Sequence, residues 1–209
     1  MRIGVICVAF ALAAGTVQAD VLFDFEGESS TYLAGAPTGS LTALTITESG
    51  LSVDISRTGG AGFDIVENIG GQAGKPASWG SFSLSPFFNQ TTNDGFVFDF
   101  SQRLTMFSIE TGDYGQDTDE VVLTAYDGAD GTGAVVDVVN ANWDSGFPLL
   151  LTLTGSGDIQ SVVMTGGSAS FPSSMFYDNI RATVIPAPGA ALLAMMGLPA
   201  VGWVKRRFA

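Results

Sequence analysis

The chain has 209 residues, with 21 Asp and Glu against eight Lys and Arg, no histidine and a single cysteine. A formal net charge of −13 excludes nucleic acid as a partner, because binding phosphates needs basic side chains. Without histidine, and with its one thiol at Cys7, the chain has no Ser-His-Asp or Cys-His nucleophilic system and no His-ligated zinc or iron.

The chain opens as a secretory leader. Met1-Arg2 is a short basic start, Ile3 to Ala14 is apolar, and Val17-Gln18-Ala19 sets small residues where a signal peptidase reads. Residues 1–19 are therefore expected to be a signal peptide, cleaved between Ala19 and Asp20. Cys7 leaves with it, so the exported chain can form no disulfide.

Residues 20–183 are of a size that makes one domain with a sizeable core. All 21 acidic residues lie here, against only Arg57, Lys75, Arg103 and Arg181, a net charge of −17. That charge favours solubility and divalent cations, and disfavours anionic surfaces.

The period in this region is two. Gly95 to Phe100 places three phenylalanines on one face of a strand, and Val121 to Tyr126 is rich in strand-forming types. Similar runs occur at Val21 to Glu26, Leu41 to Thr47, Leu51 to Ser56, Leu104 to Glu110, Ala134 to Val139, Leu149 to Thr154, Ile159 to Thr165 and Met175 to Val184. Turn residues punctuate them at Thr58-Gly59-Gly60, Asp127 to Gly131 and Gly155-Ser156-Gly157. About ten strands without a helix predict an all-β, antiparallel β-sandwich of jelly-roll type. Ile69 to Gln90, with its glycines, prolines, Trp79 and three phenylalanines, reads as a long loop or insertion around a short strand, either an aromatic plug closing one end of the sandwich or a binding loop.

Three acidic clusters carry the chemistry: Asp24 and Glu26 on the opening strand, Asp113, Asp117 and Asp119 between two strands, and Asp178 on the closing strand. A carboxylate on an apolar strand is costly to bury unless a cation or hydrogen bonds compensate it. The Asp113–Asp119 segment supplies hard oxygen ligands without the spacing of an EF-hand loop, so a solvated turn is the alternative reading. Asp127 and Asp130 read as a plain hairpin turn. Trp79, Trp143, Tyr114 and Tyr126 are the aromatics that could stack on a sugar ring.

The chain ends on a third segment, residues 184–209. Pro186-Ala187-Pro188 precedes an apolar helix expected over about 189–204, and Lys205, Arg206 and Arg207 form a basic cluster before the end. The uncharged run from Val184 to Val204 is 21 residues, long enough to cross a bilayer as a transmembrane helix. The basic cluster then lies on the cytoplasmic side and the domain outside.

This tail resembles the PEP-CTERM sorting signal of bacterial surface and secreted proteins, with Ala187 where that family has glutamate. The resemblance implies recognition by exosortase, a membrane protease, in organisms that make exopolysaccharide. The strand order and the acidic residues of the first and last strands resemble the jelly-roll domains of carbohydrate-binding modules and galactose-binding-like folds. That resemblance implies a structural Ca²⁺ held by Glu26 and Asp178, with Asp24 behind them.

Three functions stay open. The first is a non-catalytic surface or matrix protein, exported, calcium-stabilised and held at the membrane or processed. The second is a carbohydrate-binding module for exopolysaccharide. The third is a glycoside hydrolase, which needs two carboxylates roughly 5 to 10 Å apart in a groove.

Overall fold

A computed structural model describes residues 19–32, 39–68, 75–86, 94–113, 117–144, 146, 149–172 and 174–184. The leader before Ala19, Tyr114 and the whole tail from residue 185, with Pro186, Ala187, Pro188, Lys205, Arg206 and Arg207, lie outside the described residues. Among the described residues, no helix is long and apolar enough to cross a membrane.

Ala19–Val184 is one compact unit of ten strands. They are β1 (Ala19–Phe23), β2 (Ala43–Glu48), β3 (Leu51–Arg57), β4 (Phe63–Glu67), β5 (Phe82–Pro86), β6 (Phe96–Gly112), β7 (Asp119–Tyr126), β8 (Val135–Trp143), β9 (Leu149–Gly167) and β10 (Phe176–Val184). Two short 3₁₀ turns, Thr58–Gly60 and Ala77–Trp79, complete the regular structure among the described residues. Every pairing is antiparallel, and the hydrogen-bonded path runs β4-β5-β10-β6-β9-β7-β8, with β1 added to β10 and the β2–β3 hairpin added to β6.

The long strands β6 and β9 make this one path into two layers. Phe96 to Asp99 of β6 pair with β3 and with Ser161 to Met164 of β9. Leu104 to Gly112 of β6 pair instead with β10, and Leu104 to Thr111 with Leu149 to Ile159 of β9. Register shifts between Asp99 and Leu104, and between Leu104 and Met106, separate the two halves. Bulges of this kind bend a strand and raise its local twist, which lets it serve both sheets.

The sequence reads two separate strands at each of these places, and the structure corrects both. Ser101-Gln102-Arg103 is exposed and polar, as a turn would be, yet β6 runs through it. Gly155-Ser156-Gly157 is not a turn either. It is the bulged stretch of β9, where the residues between Thr154 and Ile159 face only those between Met106 and Leu104, and Gly157 supplies the left-handed φ of 95°. β5 is the short strand expected inside the Ile69 to Gln90 insertion, whereas β4, just before it, was missed.

The alternation elsewhere does what the sequence predicts. In β7 the residues Asp119, Val121, Leu123 and Ala125 are buried, while Glu120 is exposed and Val122, Thr124 and Tyr126 are half-buried on the other face. Phe96, Phe98 and Phe100 all face inward. Their rings meet those of the opposite layer, Phe96 to Tyr177 at 5.1 Å, Phe98 to Phe107 at 5.7 Å and Phe100 to Phe107 at 5.9 Å between centroids. Burying each such ring contributes roughly 1.5–3 kcal/mol, and the tilted or edge-on geometries add a little more.

Phe107 joins both halves of β6 across the core. Phe107→Ala is expected to destabilise the domain by about 3–5 kcal/mol, read from the denaturant midpoint of the purified protein. A loss below about 1 kcal/mol would mean that the two layers do not meet through this ring.

Candidate functional site

Two of the acidic clusters become distinct places in the fold, and a polar groove lies near the second. The first place is a seam where β1, β6, β10 and the Ala77–Phe82 segment meet. β1 pairs with β10 up to Phe23↔Ile180, so the chain just beyond, Asp24 to Glu26, comes beside Asp178 and Asn179. Phe25 and Asn179 both hold positive φ, 58° and 49°, conformations that L residues seldom adopt. Phe25 is thereby buried in the core between the half-buried Asp24 and the exposed Glu26. Asn179 sits at the register break of β10 between Asp178 and Arg181.

The structure adds Glu110 to this set. Asp178 stands directly opposite Glu110 in the β10–β6 ladder, and like charges in that position repel. Each neighbouring carboxylate is held by donors. Glu110 accepts from the Trp79 indole N–H at 2.7 Å and from Asn179 Nδ2 at 3.1 Å. Glu26 accepts from the backbone N–H groups of Ser81 at 2.6 Å and Phe82 at 3.0 Å. Gly80 makes that approach possible, since its φ is 55° and a Cβ there would lie 2.5 Å from Glu26 Oε1. Asp24 accepts the Glu26 N–H at 3.3 Å.

Asp178 is the exception. It is fully buried, its Oδ1 accepts only the N–H of Asn179 at 2.7 Å, and its Oδ2 has no partner. Burial, then the charges of Asp24, Glu26 and Glu110, push its carboxyl up to about 9 against the opposing hydrogen bond from Asn179. The nearby Lys75 ammonium is committed to Asn68 Oδ1 at 2.5 Å and Ser83 Oγ at 2.9 Å, and lies over the Phe176 ring at 4.3 Å. Burial lowers it to about 8, with Asp178 opposing.

The second place is the Asp113–Asp119 segment. Asp119 and Glu120 open β7, as the turn reading has it, and Thr118 is exposed, but Asp113 and Asp119 are both buried; residues 114–116 lie outside the described residues. Asp119 Oδ1 accepts from Ser174 Oγ at 3.2 Å, while Asp119 Oδ2 and Asp117 Oδ2 are buried without partners. Burial, then Asp113 and Asp117, raise the Asp119 carboxyl to about 6 against the Ser174 hydrogen bond. The Asp127–Gly131 hairpin is a plain turn, as read, with Asp127 Oδ1 accepting from Ala134 N at 2.7 Å. Among the described residues, no group of three or more Asp, Glu, Cys or His side chains is placed to hold a metal ion by itself.

A groove of about 610 Å³ lies on the outer face of the β7–β9 ladder, lined by Thr118, Glu120, Val122, Asn142, Thr165, Gly167, Ser168, Ala169 and Pro172. The register explains its chemistry. Glu120 lies between Asn142 and Gly167, and Val122 between Asn140 and Thr165, so amide, hydroxyl and carboxylate groups stand in rows across three strands. A shallower depression lined by Glu120, Asn140, Ala141 and Asn142 continues it.

The aromatics expected to stack on sugar are mostly elsewhere. Trp79 is a core residue, 1% exposed, with its indole tied to Glu110, and offers no face to a ligand. Trp143 is half-buried against the core, its N–H donating to Gly146 O at 2.6 Å. Tyr126 is half-buried on the same face of β7 as Glu120, six residues along, which is roughly 20 Å in a strand.

Solved structures similar to this chain include the K2 cleaved adhesin domain of Lys-gingipain, 14% identical with a TM-score of 0.47 over 78% of this chain and 99% of that one. The K3 cleaved adhesin domain of Lys-gingipain from Porphyromonas gingivalis w83 is 14% identical with a TM-score of 0.46, over 80% and 99%. A family 11 carbohydrate-binding module from Clostridium thermocellum, in complex with a β-1,3-1,4-mixed-linked tetrasaccharide, is 15% identical with a TM-score of 0.38, over 80% and 96%. No protein-family model and no curated protein matches the sequence.

The state of Asp178 has a consequence for stability. Its folded carboxyl keeps a proton up to about 9, whereas an unfolded Asp releases it near 4. Between those values the folded state binds more protons, so stability is greatest at the acid end and falls as pH rises. In the absence of divalent ions, the urea midpoint should fall from about pH 5 to about pH 9, and Asp178→Asn should flatten that fall. An equal fall in the variant would place the titrating group elsewhere.

Proposed function

We propose that this chain is an exported, non-catalytic surface protein whose jelly-roll-like sandwich binds polysaccharide along the groove between Thr118 and Pro172. The groove itself carries the proposal. Its open shape suits an extended ligand, and the rows of Asn140, Asn142, Thr165 and Glu120 offer the donors and acceptors that sugar hydroxyls use. With Trp79 in the core and Tyr126 roughly 20 Å from Glu120, the groove's lining holds no aromatic among the described residues, so recognition rests on hydrogen bonds. A neutral or weakly charged polysaccharide fits a domain of net charge −17.

The same groove supports a non-catalytic reading. Glu120 is the one carboxylate among its lining residues, whereas glycoside cleavage needs a facing pair. A purely structural role as a surface or matrix domain is the second reading. It is favoured by the burial of Trp79 and the commitment of Trp143 to Gly146.

Export and anchoring rest on sequence. Residues 1–19 direct secretion through signal peptidase, and residues 184–209 hold the domain at the membrane through the apolar 189–204 segment. Exosortase then acts at the Pro186-Ala187-Pro188 signal and leaves the domain at the cell surface or in the matrix.

A Ca²⁺ ion at the seam is part of the same proposal. The donor set fits a hard cation: Asp178 Oδ2 is buried and unpartnered, faces Glu110 across the ladder, and has Asp24 and Glu26 close enough to raise its proton affinity. Asp178 and Glu26 would hold the ion with Glu110 and Asp24 around it, backbone carbonyls and water completing a shell of six to eight oxygens. Its role would be structural, neutralising a buried negative seam.

Two measurements test these readings. A polysaccharide and glycan-array screen should give saturable binding to one class, weakened about tenfold or more by Asn142→Ala and by Glu120→Ala, as loss of a polar contact predicts. A blank screen from a folded protein favours the structural reading. Separately, millimolar calcium should raise the melting temperature of metal-free protein, since a ligand of the folded state stabilises it by mass action, and Asp178→Asn should reduce that shift. An unchanged shift in the variant removes the seam ion.

A further inference from the structure

We infer that Asp117 and Asp119, with Asp113 beside them, supply two carboxylate ligands of a second divalent-cation site, separate from the seam, which fastens the start of β7 to Ser174. Divalent calcium is the chemical class that fits, because every candidate ligand is a hard oxygen.

Three observations converge on it. The first is burial: Asp119 is 0% exposed and Asp113 is 5% exposed, although the segment joins two strands and is rich in acids. The second is the pair of orphaned oxygens. Asp119 Oδ2 and Asp117 Oδ2 are both buried with no hydrogen-bond partner, whereas Asp119 Oδ1 is taken by Ser174 Oγ. A buried carboxylate oxygen left without a donor costs several kcal/mol unless a cation meets it.

The third is where the domain's own cations are engaged. Arg57 donates to the Asp94 and Gly62 carbonyls, Lys75 to Asn68 and Ser83, Arg103 to the Asp158 carbonyl, and Arg181 pairs with Asp20 at 3.8 Å. These four are all the basic residues between Asp20 and Thr183. None of these contacts is with Asp119, and a cation from solution would meet its charge. Because the three carboxylates do not form a cage unaided, the ion takes the two orphaned oxygens and completes its shell with carbonyls and water, as Ca²⁺ commonly does.

The position has a consequence for the groove. Alternation along β7 points Asp119 inward, while its neighbours Thr118 and Glu120 line the groove, and Ser174 follows the Ser168–Pro172 wall. An ion at Asp119 thus steadies both walls from beneath. Resting on the polysaccharide reading, this makes sugar binding calcium-dependent through Asp119 as well as through global stability.

Equilibrium dialysis of the full chain against calcium at neutral pH tests the site. The unaltered protein should hold two ions, and Asp119→Asn and Asp178→Asn one each. Asp117→Asn, at a partly exposed position, should also lose one and covers the case in which Asp119→Asn does not fold. Asp117→Asn holding as many ions as the unaltered protein would overturn the site. The ion count does not depend on any sugar: two ions without polysaccharide binding would leave this site standing and remove the reading of the groove.

Discussion

The fold is constrained most by where it puts Asp178. A carboxylate with no solvent exposure, opposite Glu110 and beside Asp24 and Glu26, is an arrangement that hydrophobic packing alone would disfavour. The surrounding elements are nevertheless shaped to it. Phe25 and Asn179 accept left-handed backbone, Gly80 leaves room for the Glu26 carboxylate, and the fully buried Trp79 turns its N–H to Glu110. Strain and buried polar contacts cost a domain of this size a meaningful share of its stability. Their concentration at one seam is the physical reason to place a cation there.

The same logic of alternation links the interior to the outer face. In β7 one parity carries Asp119, Val121, Leu123 and Ala125 into the core, and the other presents Glu120, Val122, Thr124 and Tyr126 outward. A single strand therefore joins a buried acidic cluster to a polar groove. Because β7 lies between β8 and β9, its register fixes Asn142 and Gly167 on either side of Glu120. The floor of the groove is thus built on regular strands, which hold side chains more firmly than loops do, while Thr118 and the Ser168–Pro172 wall lie outside them.

Much of the fold was legible because a period of two is hard to mistake. The phenylalanines of β6, the β2–β3 hairpin and β7 to β10 lie where the sequence places strands. What failed was punctuation. Gly155-Ser156-Gly157 and Ser101-Gln102-Arg103 carry turn chemistry, but pairing on both sides of β6 and β9 kept those strands continuous and turned the signals into bulges. The five residues of β4, directly after Gly62, gave too little pattern, whereas β5 is the short strand read inside the insertion.

The site was legible in part for a similar reason. Asp178 lies on the last strand, while Asp24 and Glu26 fall just past the end of the first rather than on it, and they meet because those strands pair. Glu110 ends an apolar strand without any mark of its own, and only the β10–β6 register shows that it faces Asp178. Trp79 read as either a plug or a ligand platform because its surroundings are loop-like in composition, and a short 3₁₀ turn directs it into the core. The most direct measurement of the central claim is a crystal structure of the protein grown at neutral pH with calcium. The account predicts an ion in contact with Asp178 Oδ2, with oxygen ligands at about 2.3–2.6 Å. Asp178 Oδ2 hydrogen-bonded to a protein donor, with no ion beside it, would contradict it.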